Sequence, residues 1–174
     1  MKKQKGFTLI ELLIAMSVLM ILISIASPAY NQLFSKQALV ASGERLFQFL
    51  GFAKSQSIKY NKKVYVHFCQ QGSTQKWRMA MSEDTSCDCF VENSCVLNGA
   101  QHNVILSDGN LVFTSPSDIT FTGLQASYNP MRFSVNAGSI TLSDNNGYKL
   151  KVIQSVMRLR ICTPESEQLG YKQC

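Results

Sequence analysis

The amino terminus constrains this chain more than any other stretch. It opens Met1-Lys2-Lys3-Gln4-Lys5-Gly6 and then runs from Phe7 to Ala26 with Glu11 as the only charged side chain. Positive residues ahead of so long an apolar run describe either a secretory signal or a membrane helix. The run is longer than a usual signal core, and its end carries only a weak small-x-small cleavage pattern. Glu11 inside the run is the stronger objection to a cleaved signal. An unpaired carboxylate at the centre of a bilayer helix costs on the order of 2.5–3.5 kcal/mol, which makes such a residue a functional candidate. Near the helix end the cost falls, and a snorkelled, tolerated glutamate is the competing reading.

Composition bounds the rest. A chain of 174 residues and 19.4 kDa fits one ordinary domain with a short appendage. Hydrophobic residues at 45% and charged residues at 16% exclude a disordered chain and a multi-span membrane protein. The formal charge of +6 suggests an anionic partner, yet three of the seventeen basic side chains are Lys2, Lys3 and Lys5. Without them fourteen stand against eleven acidic ones, a mild +3.

All six cysteines (Cys69, Cys87, Cys89, Cys95, Cys162 and Cys174) lie beyond residue 60. An even number behind an export-like start points to disulfides and an oxidising compartment. Zinc is the rival, through Cys87, Cys89 and Cys95, but paired CxxC knuckles are missing and neither His67 nor His102 is close in sequence. No metal or other cofactor is expected. Six cysteines allow 15 pairings. Of these, Cys162 with Cys174 is singled out because it would staple a short tail to the last strand.

Lys5-Gly6-Phe7-Thr8-Leu9-Ile10-Glu11 resembles the processing signature of type IV pilins and type II secretion pseudopilins. The resemblance implies a membrane peptidase that cuts between Gly6 and Phe7 and methylates the new amino terminus on Phe7. It implies that Gly6 is needed because a side chain there would obstruct the peptidase. It also implies that Glu11 neutralises the terminal amine of a neighbouring subunit during filament assembly. Such pairing is physically reasonable, since an unpaired ion in an apolar filament core would be costly. The apolar run is then a membrane anchor first and a filament core afterwards.

Helical spacing continues past Pro28, which permits a kink. Leu39, Gly43, Leu46, Leu50 and Ala53 form an apolar stripe, read as core, with Lys36, Glu44, Gln48 and Lys54 mostly elsewhere. A helix from Phe7 to Tyr60 would run about 80 Å at 1.5 Å per residue. From Lys62 onward the texture is that of strands. Val64, Val66 and Phe68 alternate with Tyr65, His67 and Cys69, and Trp77, Met79 and Met81 follow at period two. Shorter candidates are 103–106, 111–114, 119–122 and 131–135. The spacing makes the expected fold α+β, and the resemblance implies a type IV pilin fold with its long helix packed on an antiparallel sheet domain. Its expected parts are a removed leader (1–6), a transmembrane and filament-core helix (7–27), an amphipathic helix (28–60) and a β domain with disulfides (61–174).

No P-loop, dinucleotide turn or nucleophile elbow appears. His67 reads as a strand residue and His102 as a loop residue, without catalytic partners, and the acids Glu83, Asp84, Asp88 and Glu92 read as a solvated loop. The chain does not read as an enzyme. Pattern alone sets a register for the last strands. A turn at Asn145-Asn146-Gly147 would place Leu142 opposite Leu150 and Ile140 opposite Val152, with Gly147 left-handed. A turn at Gln154-Ser155, or a longer even-numbered loop, would place Val152 opposite Met157 and Leu150 opposite Leu159. In this register Lys151 faces Arg158 and Lys149 faces Arg160. Like charges directly opposite one another do not stabilise a sheet. The patch is then either a solubilising face, with Glu165 and Glu167 folded across it, or a polyanion site.

The long helix, the Trp-bearing hairpin with cysteines and the arginine-rich last strand resemble GspH/FimT-type minor pilins. Some FimT-type members bind DNA in natural transformation through a Gly-Arg-x-Arg motif; here Arg158 and Arg160 match and Met157 replaces the glycine. FimU-type relatives instead help to prime the pilus tip. The resulting expectation is a minor pilin of the type IV pilus, near the tip, that assembles with other pilins after prepilin peptidase processing. It would sit as a single-pass inner-membrane protein with a periplasmic domain before reaching the filament surface. The alternatives are a DNA receptor using Lys149, Lys151, Arg158, Arg160 and Lys172 without base specificity, and pseudopilin H of type II secretion.

Overall fold

The computed structural model describes residues 7–131, 134–156 and 158–174, without the side chains of residues 26–29 and 134. The leader, the Pro28 kink, part of the 131–135 candidate and the pairing of Met157 lie outside the described residues. The chain divides into two compact units, Met1–Phe34 and Ser35–Cys174.

Helix α1 spans Leu9–Tyr60. In the first unit its described large apolar side chains stand in the open, from Val18 and Phe34 at 50% exposed to Leu9 at 79%. By itself neither Leu9–Ile25 nor Tyr30–Tyr60 is long and apolar enough to cross a membrane; together they meet that condition.

In the second unit the stripe behaves as its spacing predicts. Leu39, Leu46, Leu50 and Ala53 are buried against two antiparallel sheets. Each fully buried leucine contributes about 1.5–3 kcal/mol. The first sheet has the order β5-β2-β1-β7-β8, from β1 (Val64–Gln70), β2 (Trp77–Ser82), β5 (Asn103–Ser107), β7 (Gln125–Asn129) and β8 (Ser134–Val135). The second has the order β11-β10-β9-β6, from β6 (Val112–Phe113), β9 (Gly138–Asp144), β10 (Lys149–Gln154) and β11 (Leu159–Cys162). A small hairpin pairs β3 (Val96–Leu97) with β4 (Ala100–Gln101). Val64, Val66, Trp77, Met79 and Met81 from the first sheet meet Ile140, Leu142, Leu150 and Val152 from the second beneath the helix. The α+β fold expected from the sequence is the fold observed.

The other face of the first sheet is covered too. Disulfides Cys69–Cys89 and Cys87–Cys95 pack with Ala80 into a satellite core. This cover also buries His67, whose Nε2 lies 2.9 Å from Ser82 Oγ and 3.1 Å from the Asp84 carbonyl. Burial holds the imidazole below its ordinary value, against the opposing pull of the Asp84 carbonyl and carboxylate. The unfolded chain takes up this proton near pH 6.5, the folded chain only at lower pH, so U binds more protons in that interval. Stability is therefore full above about 6.5 and declines as the pH falls toward the folded value. Thermal midpoints recorded between neutral pH and about pH 5 should fall, and His67→Gln should flatten that fall. A profile unchanged by the substitution would remove His67 as its cause.

Two strand expectations change. Residues 119–122 make only an isolated bridge, Ile119 to Ile140, before a 3-10 turn at Thr122–Leu124. Strand β7 was not anticipated, because its alternation rests on only Ala126 and Tyr128 among polar neighbours.

Candidate functional site

The amino-terminal motif occupies the start of α1. Phe7 and Thr8 precede the first helical turn, and the Glu11 N–H donates to Thr8 Oγ1 at 3.3 Å. Thr8 thus supplies an acceptor to an N–H that no upstream carbonyl can satisfy. The spacing Thr8-x-x-Glu11 is that of a capping box, a local signal that the sequence reading passed over.

At the other end, β9 and β10 pair in the anticipated register. Leu150 faces Leu142, Val152 faces Ile140, and Gly147 has φ 84°. The register of β10 with β11 needs correcting. Val152 faces Ile161, Ile153 faces Arg160, and Lys151 faces Cys162. The turn lies beyond Gln154-Ser155 and is closed by the Ser155 N–H on the Arg158 carbonyl at 2.9 Å. The reason is Gln154. Its carboxamide is buried in the strand, accepting from the Tyr128 hydroxyl and donating to the Asn136 carbonyl. Those partners lie 26 and 18 residues away in sequence, so local turn chemistry could not reveal them. The displacement is even, so Leu159 and Ile161 keep their predicted face against the core.

The like-charged pairs Lys151/Arg158 and Lys149/Arg160 therefore do not form. Arg158 sits exposed at the turn, Arg160 is exposed on β11, and Lys151 is half-buried. Beside Lys151 lies an open depression lined by Thr120, Ser139, Ile153 and Ser155. Lys149 is engaged by Glu165 at 2.6 Å, and that hydrogen bond raises its pKa. Glu165 thus folds across the face as the solubilising reading supposed, and Glu167 takes part in no described ion pair.

Glu165 is placed by the tail. Cys162 is bonded to Cys174, the pairing singled out from the sequence. Thr163 is buried, its N–H donating to the Lys172 carbonyl at 3.0 Å. Tyr171 donates its hydroxyl to Glu44 on α1 at 2.9 Å, and burial with that contact pushes its pKa up to about 12. Lys172 is exposed on this tail. Among the described residues no cluster of His, Cys, Asp and Glu is fit to hold a metal ion, and every cysteine is in a disulfide.

Comparison with known proteins covers both ends of this description. Residues 1–27 match the prokaryotic N-terminal methylation motif, and residues 42–162 match the family described as type II transport protein GspH. A curated protein of Haemophilus influenzae (strain ATCC 51907 / DSM 11121 / KW20 / Rd), described only as an uncharacterized protein, is 27% identical over 94 residues. That match covers 53% of this chain and 55% of the relative, so the chain spans about half the length of the curated protein it matches. No solved structure matches.

Proposed function

This chain belongs to the GspH family of type II transport proteins, and from that premise we propose that it is a minor pilin of a type IV pilus. The methylation motif implies a membrane-anchored prepilin, a substrate of prepilin peptidase that assembles with other pilins. The pilin and pseudopilin families are structural rather than enzymatic. In the proposed reading residues 1–6 are removed between Gly6 and Phe7, Phe7 is methylated, and Glu11 pairs with the amine of a neighbouring subunit. The mature subunit leaves the inner membrane and sits at or near the fibre tip, where it primes assembly. The observation that carries this reading is the juxtaposition of the methylation motif with a helix whose apolar side chains stand uncovered from Leu9 to Ile25. Exposed apolar surface of that extent needs lipid before assembly and other subunits afterwards.

Antibody labelling of sheared fibres tests the position. Sparse marks at one fibre end are expected. Labelling along the whole length would make the chain a major pilin. A deletion strain with intact pili but failed protein secretion would make it a type II secretion pseudopilin, the reading the family's name favours.

A second reading, a pilus-borne DNA receptor, is supported by Arg158 and Arg160, both exposed and in neither of the described ion pairs. Lys151 and Lys172 would add to it, whereas Lys149 is already held by Glu165. Binding through so few phosphates is weak, indifferent to sequence and salt-sensitive. The double variant Arg158→Ala/Arg160→Ala should lower the slope of log affinity on log salt by about 2. Absence of duplex binding at low salt would leave the arginines to subunit contacts.

A further inference from the structure

The face of the five-stranded sheet turned away from α1 holds a cleft of about 270 Å³ that no part of the pilin reading uses. Its floor follows from strand register. Trp77, Met79 and Met81 point into the core, so Arg78 and its partner Ile105 point the other way, and Ile105 is left 50% exposed. The β2–β5 pairing shifts register between Trp77 and Arg78, a bulge of the kind that re-aims side chains beside binding sites.

Both walls are built. On one side the disulfides Cys69–Cys89 and Cys87–Cys95 hold the loop bearing Phe90, whose ring centroid lies 4.8 Å from the Arg78 guanidinium carbon. On the other, Asp108 Oδ1 accepts the N–H groups of Asn110, Leu111 and Val112. Gly109 turns this loop at φ +74°, and a Cβ there would fall 3.2 Å from the Gln75 backbone, so the loop is seated tightly against the β1–β2 turn.

The lining is chemically lopsided. The ion pairs among the described residues are Lys62–Glu83 and Lys149–Glu165, which leaves Lys76 and Arg78 at the cleft with no carboxylate partner. Asp108 is the acid of the lining, and one of its oxygens is already taken by backbone donors. A guanidinium resting on an aromatic ring is restrained in advance and presents a fork that matches a carboxylate. Beside it lies an aliphatic floor, and the amides of Gln71 and Asn110 at the rim suit a peptide backbone. We propose that this cleft captures an acidic segment of a partner protein, with a carboxylate on Arg78 and Lys76 and the adjoining apolar side chain on Ile105. The cleft serves this role whether the subunit primes a tip, binds DNA or works in secretion.

The heat of binding in isothermal titration calorimetry reports occupancy, because the only tryptophan of the chain, Trp77, turns its buried indole into the core on the other face of the sheet. The full chain, oxidised and held in a non-ionic detergent, would be titrated with an acetylated, amidated peptide Ser-Leu-Glu-Leu-Glu-Ser. A saturable heat is expected, with the peptide carrying Gln for Glu at least about tenfold weaker. Arg78→Gln should weaken the acidic peptide by a similar factor. Should that variant fail to fold, Lys76→Gln, at an exposed side chain, serves in its place. No saturable heat up to about 1 mM, or equal binding of the two peptides, overturns the proposal. So does indifference to the substitution. Displacement of the peptide by N-acetylneuraminic acid at equal concentration would also overturn it, assigning the cleft to acidic sugars.

Discussion

Gly6→Val is expected to leave the chain wholly unprocessed in the membrane, whereas Glu11→Leu is cleaved and methylated normally but enters no fibre. The two outcomes separate because the residues would act at different stages. The proposed cut precedes Phe7, and the helical ladder begins one residue later, with the Leu12 N–H on the Thr8 carbonyl at 3.3 Å, so Phe7 is not tied up in it. A peptidase can hold such a segment extended, and a branched side chain next to the cut crowds that approach. Glu11 lies inside α1, with its backbone N–H capped by Thr8, and removing its carboxylate takes nothing from the cut. Leucine at that position should even lower the cost of membrane insertion, by about 2.5–3.5 kcal/mol if the site lies at the bilayer centre. Intact mass of the membrane-extracted chain reads the first stage, and the chain's presence in sheared fibres reads the second. Cleavage of Gly6→Val, or wild-type fibre incorporation of Glu11→Leu, would overturn the assigned roles.

The second large effect lies in the packed half of the helix. Gly43→Val should destabilise the globular unit by about 3 kcal/mol, while Gly51→Ala should stabilise it by about 0.5–1 kcal/mol. Both glycines are in α1, and both cost helix propensity relative to alanine. The difference is tertiary. A Cβ at Gly43 would fall 2.2 Å from Leu150 Cδ2, and Leu150 is itself fully buried beneath the helix. No rotamer change is free in so dense a core, and valine adds two methyl groups to the overlap. At Gly51 nothing lies within 4 Å of the added atom. Thermal midpoints of the oxidised chain should therefore move in opposite directions. A stabilising Gly43→Ala would show that Leu150 repacks without cost, and the close helix–sheet approach would lose its explanation.

How much was legible in advance depended on the range of the interactions. The stripe Leu39 to Ala53, the β1–β2 hairpin and the β9–β10 register were readable because apolar periodicity and a left-handed glycine act over a few residues. The β10–β11 turn was misplaced because Gln154 looks like a turn residue until Tyr128 and Asn136 are seen to satisfy it. The basic face changed for the same reason, and Lys149 was matched with an acid that only the folded tail brings within reach. The cleft over Ile105 left no signal in the sequence. Arg78, Phe90, Ile105 and Asp108 come from separate stretches, and only strand register and two disulfides assemble them.

Sequence alone therefore determined the class of the molecule: a processing motif, an apolar helix with one carboxylate, an amphipathic continuation and a disulfide-bearing antiparallel domain. These follow from hydrophobic periodicity and from the cost of charge in an apolar medium, both written along contiguous residues. The tertiary structure decided which cations stand free, which cysteines join beyond the tail staple, and where a cleft opens. Those depend on contacts between residues far apart in the chain, whose hydrogen bonds and ion pairs exist only once the sheets and the helix have packed together.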